Sequence, residues 1–469
     1  MLYRLIKTAF VITLAVVVTL MHAAPAFAQS LLRDTEIEET MRDYTTPILR
    51  AAGLSPSSVD IYLVNDPSLN AFVTRGQNIF LHSGIILQSD TPNQLKGVIA
   101  HEAGHIAGGH IVRSDYGNRS AYGAMLIAAG IGIAAILAGE GQAGALVLGG
   151  SQQFGQIEAL AYSRVNESAA DQYAAQYMEA IGESGQGLID FFDRFRAQEV
   201  LSNARRYPYF RGHPLSSDRI DALRERVEES PYTDVKDTDD EQHRLEMAKA
   251  KLRGFLEGPQ VVFSKYPPED QSQPARYARA VAHFRSADLL NAVAQIDSLI
   301  AEEPENPYFH ELKAQILYES GQREKAIAPA RRALELKPDA PLLEVALAQS
   351  LLETSDRTKI NEAVELLKSA LTTETGNSYA WYTLSRAYGE LGQDALAKYA
   401  VAEQAYAVGD LQRARSFAGR AKQDLPRGDP QWRRASDIIV VSDAQLAKKN
   451  RGRRGPKPLT FNVSGGPRG

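Results

Sequence analysis

Two short runs near the N-terminus, Val59-Asp60-Ile61-Tyr62-Leu63-Val64 and Asn78-Ile79-Phe80-Leu81, carry the β-branched and aromatic residues that favour strands. Arg75-Gly76-Gln77-Asn78, between Phe72-Val73 and Ile79-Phe80-Leu81, predicts a hairpin turn. Helical spacing of apolar positions fills much of the rest up to about Glu229. A polar stretch then runs from Glu228 through Asp240 and reads as a linker, and beyond it strand signals nearly vanish.

The second half repeats itself. Ala292 and Ala326 lie 34 residues apart, as do Pro304 and Pro338, which is the tetratricopeptide period. Gly321 and Gly392 lie 71 apart, one period of 34 and one of 37, with the three extra residues falling in Thr354–Lys359. In the unit beginning near Ser378, Trp381, Leu384 and Tyr388 occupy the first helix, Gly392 the turn and Ala397 the helix contact. An unspecialised helical bundle is the plainer alternative. The predicted class is α+β, mainly α, with a mixed first domain followed by an α-solenoid of tetratricopeptide repeats. The predicted layout is a signal at 1–28, the mixed domain at 29–229, a linker at 230–241, repeats at 242–445 and a disordered basic tail at 446–469.

A length of 469 residues exceeds one domain and allows two or three cores. The net charge of −5 hides an uneven distribution, because Leu446–Gly469 holds seven Lys or Arg and no acid. The remainder is acidic, which argues against nucleic acid as a partner. Arg4 and Lys7, the apolar Ala9–Leu20 and the small-x-small Ala26-Phe27-Ala28 read as a cleaved secretory signal, so export is expected. With no cysteine, a transition-metal site must use histidine and carboxylate ligands.

His101-Glu102-Ala103-Gly104-His105 is an H-E-x-x-H motif in a helical pattern. Residues four apart share a helix face, so His101 and His105 can address one ion while Glu102 stands placed as general base. Glu167 and Asp171, also four apart, supply a candidate third ligand and a candidate partner for the outer nitrogen of a ligand histidine. A solvated acidic helix face is the alternative for that pair. The longer H-E-x-x-H-x-x-G-x-x-H signature fails by one residue: Gly108 fits, but Ile111 stands where the third histidine belongs and His110 comes early. On a continuing helix His110 would lie opposite His101, and it is read as a structural or surface histidine. For His213 and Arg219 the expectation is catalytic: His213 reaches the metal or the substrate oxyanion, and Arg219 orients it or the substrate backbone. A simple helix start at Pro214 is the alternative.

These elements, with Gly212-His213-Pro214-Leu215-Ser216-Ser217-Asp218-Arg219-Ile220, resemble the HtpX and CAAX-prenyl-protease type of zinc peptidase. The resemblance implies that 29–229 is a zincin-like, gluzincin-type metallopeptidase domain with one Zn2+ per chain, held by His101, His105 and Glu167. With the signal and repeats, it implies a periplasmic endopeptidase acting on misfolded or stalled outer-membrane proteins, its repeats engaging the assembly machinery. A zinc-stabilised chaperone or assembly adaptor with little proteolysis is the rival. Ala121–Gly139, 19 residues without a charge, reads either as a helical flap over the cleft or as a membrane span, and the stretch 121–148 as a place of peripheral membrane contact.

Overall fold

The computed structural model describes residues 30–74, 76–110, 164–201, 213, 215–354 and 356–453. The predicted signal, the uncharged run 121–139 and the rest of the stretch to 148, Gly212 and Pro214 lie outside these residues.

Strand β1 (Ser30–Leu32) leads into helix α1 (Thr35–Ala51), which starts where the Asp34 side chain accepts from the Ile37 backbone N–H. Ile37, Met41, Tyr44 and Ile48 recur at helical spacing along α1 and are buried. Strands β2 (Asp60–Asn65), β3 (Ala71–Thr74) and β4 (Asn78–His82) complete one sheet in the order β1-β2-β4-β3. β3 and β4 form the expected antiparallel hairpin, whose turn takes positive φ at Gly76 (85°) and Gln77 (60°). β2 and β4 pair in parallel with Ile61 opposite Ile79, and β1 adds antiparallel to β2. Rings of Tyr62, Phe80 and Phe72 stack across three neighbouring strands at 4.9 Å between centroids, while Ile61, Val73 and Ile79 belong to the core cluster.

After the short α2 (Ser83–Gln88), α3 (Pro92–Ala107) packs against β3, α1, α4 (Arg164–Ala180) and α5 (Gln186–Leu201). Every residue of α3 from Pro92 to His105 is buried, so this helix lies at the centre of the core formed with the sheet and its neighbouring helices. α6 (Ser217–Glu228) rests on α4 and α5.

The segment 230–241 does not act as a free linker. Asp237 accepts from the Asn93 backbone N–H, and Asp237 and Glu241 both pair with the buried Lys96 of α3. α7 (Asp239–Leu256) then starts from a Thr238–Glu241 capping box and places Leu245, Ala248 and Leu252 in the core that contains α3. The chain divides instead into Met1–Leu343 and Glu344–Gly469. Within the first unit α8 (Pro259–Lys265), α9 (Gln273–Arg285), α10 (Leu289–Glu302), α11 (Pro307–Glu319) and α12 (Arg323–Leu336) follow, and α9 to α12 pack successively.

α13 (Pro341–Leu352) crosses the boundary, and α14 (Arg357–Thr373), α15 (Ser378–Glu390), α16 (Asp394–Ala407), α17 (Leu411–Asp424) and α18 (Pro430–Arg453) form the second unit. Helices α14 to α18 pack in sequence, and α16 also meets α18, the nearest-neighbour pattern of a helical repeat array. α18 continues to Arg453, eight residues into the segment expected to be disordered. Among the described residues, no helix is long and apolar enough to cross a membrane.

Candidate metal centre

Three helices and one loop residue build the site. Thr91 caps α3 by accepting from Gln94 N, and Pro92 occupies the first turn, so the helix delivers His101, Glu102 and His105 into the core. α4 crosses beside it and contributes Glu167 and Asp171. The close approach requires Gly104, because a Cβ there would lie 3.1 Å from the Ala170 carbonyl oxygen and 3.2 Å from the Tyr173 Cβ. α6 begins at Ser217 with Ser216 as cap, accepting from the Arg219 N–H. The cap places Arg219 in the first turn of α6, with His213 just ahead of it.

The structure brings the predicted residues together. One donor atom each from His101, His105, Glu167 and His213 lie within 4.8 Å of one another, and all four residues are buried. His101 Nε2 stands 3.1 Å from His105 Nε2 and 3.2 Å from His213 Nδ1. The Glu167 carboxylate reaches all three rings, at 3.5 Å from His101 Nε2, 3.4 Å from His105 Nε2 and 3.1 Å from His213 Nδ1. Three ring nitrogens crowded against one carboxylate form an arrangement that a shared cation satisfies better than hydrogen bonds among themselves. Glu167 Oε1 and both Glu102 oxygens are buried without a hydrogen-bond partner, and Glu102 Oε1 lies 3.5 Å from His213 Nε2. The donor set of imidazole nitrogen and carboxylate oxygen suits zinc, so the residues fit the ion the sequence implies.

Around this group stand side chains that fix its members. Asp171 Oδ1 lies 2.9 Å from His101 Nδ1, on the ring edge turned away from the donor cluster. Arg219 donates Nε to Asp171 Oδ2 at 2.7 Å and Nη2 to Asp171 Oδ1 at 2.9 Å, and its Nη1 lies 3.2 Å from Glu167 Oε2. Arg219 thus holds the two carboxylates in place. His110, read from the sequence as a structural or surface histidine, is buried with Nδ1 3.0 Å from His105 Nδ1. α3 ends at Ala107, and Gly109 at φ +65° turns the chain back toward that ring. Only the GG pair in the sequence could have signalled this.

Charge follows geometry. Burial opposes a charge on His101, yet Asp171 and Glu167 outweigh it and hold the ring up at about 9. His105 is pushed well down by burial and by the neighbouring His101 and His213 rings. Burial would raise Glu167, but His213 and His101 hold it far below the usual carboxylate range. Burial raises Glu102, only partly opposed by His213 and His101. Two carboxylates on adjoining helices are therefore driven apart, one locked as an anion and one inclined to hold a proton.

Comparison with known proteins matches this geometry. The model of peptidase family M48 covers residues 12–227, which include every donor described. Beta-barrel assembly-enhancing protease of Escherichia coli (strain K12) is 23% identical over 476 residues, covering 92% of this chain and 96% of that protein. A putative beta-barrel assembly-enhancing protease of Vibrio cholerae is 25% identical over 381 residues, 78% of this chain and 76% of its own length. Metalloprotease YcaL of Escherichia coli is 29% identical over 174 residues, 37% of this chain and 63% of its own. With paired helical histidines, a buried acidic partner and a match to peptidase family M48 over residues 12–227, the chain is a metalloendopeptidase.

Proposed function

We propose that the chain is a periplasmic, zinc-dependent endopeptidase that acts on misfolded or stalled outer-membrane proteins and assists their assembly through its helical repeats. The observation that carries this reading is Glu102, a buried carboxylate whose two oxygens have no hydrogen-bond partner, beside the four-donor group. A purely structural metal site has no use for such a group.

His101, His105 and Glu167 would hold one zinc ion. Bound there, zinc supplies the Lewis acidity that polarises a scissile carbonyl and makes water nucleophilic at neutral pH. Glu102 then takes the proton from the attacking water on a carboxylate oxygen and passes it to the leaving amine. Asp171 holds the His101 ring through Nδ1, and Arg219 holds Asp171 and Glu167. His213 brings a fourth donor from outside the helices, and a catalytic site needs one position for water. Its withdrawal leaves the three-residue set intact.

Substrate is proposed to lie along β3, the terminal strand that carries Phe72 and packs beside α3. β4, which carries Ile79, is paired on both sides and offers no free edge. Strand addition orients a backbone without reading its sequence, which suits unfolded clients. The client class and the periplasmic setting draw on the name of the Escherichia coli and Vibrio cholerae relatives, on the signal-like 1–28, and on coverage of both halves of the chain.

The test compares wild type with Glu102→Gln for zinc content and for cleavage of an unfolded outer-membrane protein. Zinc should stay at one per chain while cleavage falls by about 10²- to 10⁴-fold. His213→Ala in the same assay should keep its zinc. Equal cleavage by wild type and Glu102→Gln would sink the base assignment, and full zinc with no cleavage by either would move the function to the repeats.

A further inference from the structure

Each ligand histidine has a ring edge facing the donor group and a ring edge facing away. For His101 the outer partner is Asp171. For His105 it is another imidazole: the two Nδ1 atoms of His105 and His110 stand 3.0 Å apart, both rings are buried, and their planes meet at 75°. Two neutral imidazole nitrogens at that distance need one N–H and one lone pair between them. We infer that His110 is a positioning residue for the reaction, selecting the tautomer and ring orientation in which His105 presents an unprotonated Nε2 to the metal.

The inference rests on the reading of His105 as a ligand. If His105 Nε2 lends its lone pair to a cation, the ring's single proton sits on Nδ1 and is donated to His110 Nδ1. The opposite arrangement would put a proton on His105 Nε2, which stands 3.1 Å from His101 Nε2 and 3.4 Å from Glu167 Oε1, and would close the donor group to a cation. With its Nδ1 lone pair turned to His105, His110 holds the His105 proton on Nδ1 and away from the donor group.

The chain is built to bring His110 to this place. α3 stops at Ala107, the Gly108 N–H bonds the Gly104 carbonyl at 2.8 Å, and Gly109 at φ +65° reverses the backbone. A Cβ on Gly108 would come within 2.5 Å of His110 Nε2 and 2.8 Å of its Cε1, so any side chain there displaces the ring. Gly108 is thus part of the same device.

The experiment measures zinc affinity of the full chain by competition with a chromophoric chelator, without reference to turnover. His110→Leu, which fills space without an acceptor, and Gly108→Ala, which pushes the ring aside, should each lose roughly 10- to 100-fold in affinity. His110→Asn places an amide oxygen where Nδ1 stood and should stay within a few-fold of wild type. Equal losses in His110→Leu and His110→Asn, or no loss in any variant, would overturn the inference while leaving the ligand set standing. Failure of wild type itself to bind zinc would overturn both, so the two failures are separable.

Discussion

Arg219 serves two carboxylates at once, Asp171 through a bidentate pair and Glu167 through its remaining nitrogen, and all three side chains are at most 4% exposed. Removing one member of such a buried set leaves charges unpaired, which costs about 3–5 kcal/mol. Arg219→Ala should therefore lower the stability of metal-free protein by that amount in urea unfolding. Added zinc should restore part of the loss, because the cation takes over the charge on Glu167. A zinc-independent loss would mean that the guanidinium works through packing on Phe192, over whose ring it sits at 5.7 Å. At this scale the sequence was legible wherever i, i+4 spacing on a helix fixes direction: His101 with His105, and Glu167 with Asp171, meet as their spacing predicts. It was not legible where an element ends. His110 changes its neighbourhood because the helix stops three residues before it, and extending the helical period through Gly108-Gly109 put it on the wrong face.

Among elements, the turns between repeat helices share one backbone signature. Gly321, Gly392 and Gly409 have φ between 72° and 81°, and in each turn the following N–H bonds a carbonyl five residues back, as in Gln322 to Leu317 at 2.9 Å. The α9–α10 turn forms the same bond, Asp288 N to His283 O at 2.9 Å, but puts Ala287 at φ 58°. That position lies 34 residues before Gly321, one full period. A left-handed conformation strains an L side chain by about 1–2 kcal/mol, offset in part by the larger unfolded-state entropy of glycine. Ala287→Gly should accordingly raise stability by about 0.5–1 kcal/mol. Gly321→Ala, with nothing within 4 Å of its new Cβ, should lower it by about 1 kcal/mol for backbone reasons alone. Unchanged unfolding midpoints in both variants would contradict the account. The repeat period and the β3–β4 hairpin were readable because short-range turn chemistry specifies them. The parallel β2–β4 pair and the three-residue β1 were not, since both depend on partners brought in by tertiary structure.

For the first unit as a whole, its catalytic and repeat parts are joined by buried lysines that look like ordinary surface residues in the sequence. Lys96 of α3 ties to Glu183, Asp237 and Glu241, so the predicted linker is pinned to the helix that carries His101 and His105. Lys251 of α7 gathers Asp34 at 2.7 Å, Glu36 at 3.2 Å and Glu311 of α11 at 3.6 Å, with Tyr277 of α9 donating to Glu36 and Thr35 to Glu311. Three acids face one ammonium. Burial, reinforced by Asp34 and Glu36 against the pull of Lys251, pushes Glu311 up to about 7 from an ordinary 4.5. Glu36 is also raised, by burial first. Between those values the folded chain binds protons more tightly than the unfolded one, so stability falls as pH rises from about 4.5 to about 7. Glu311→Gln keeps the shape, accepts from Thr35 and does not titrate. It should flatten that slope and gain on the order of 1–3 kcal/mol over wild type at neutral pH, with little difference at the acidic end. Glu36 leaves a residual slope of the same sign. Urea unfolding of both proteins across this window decides the matter: parallel curves would mean that Lys251 neutralises Glu311 fully and that the junction is insensitive to pH.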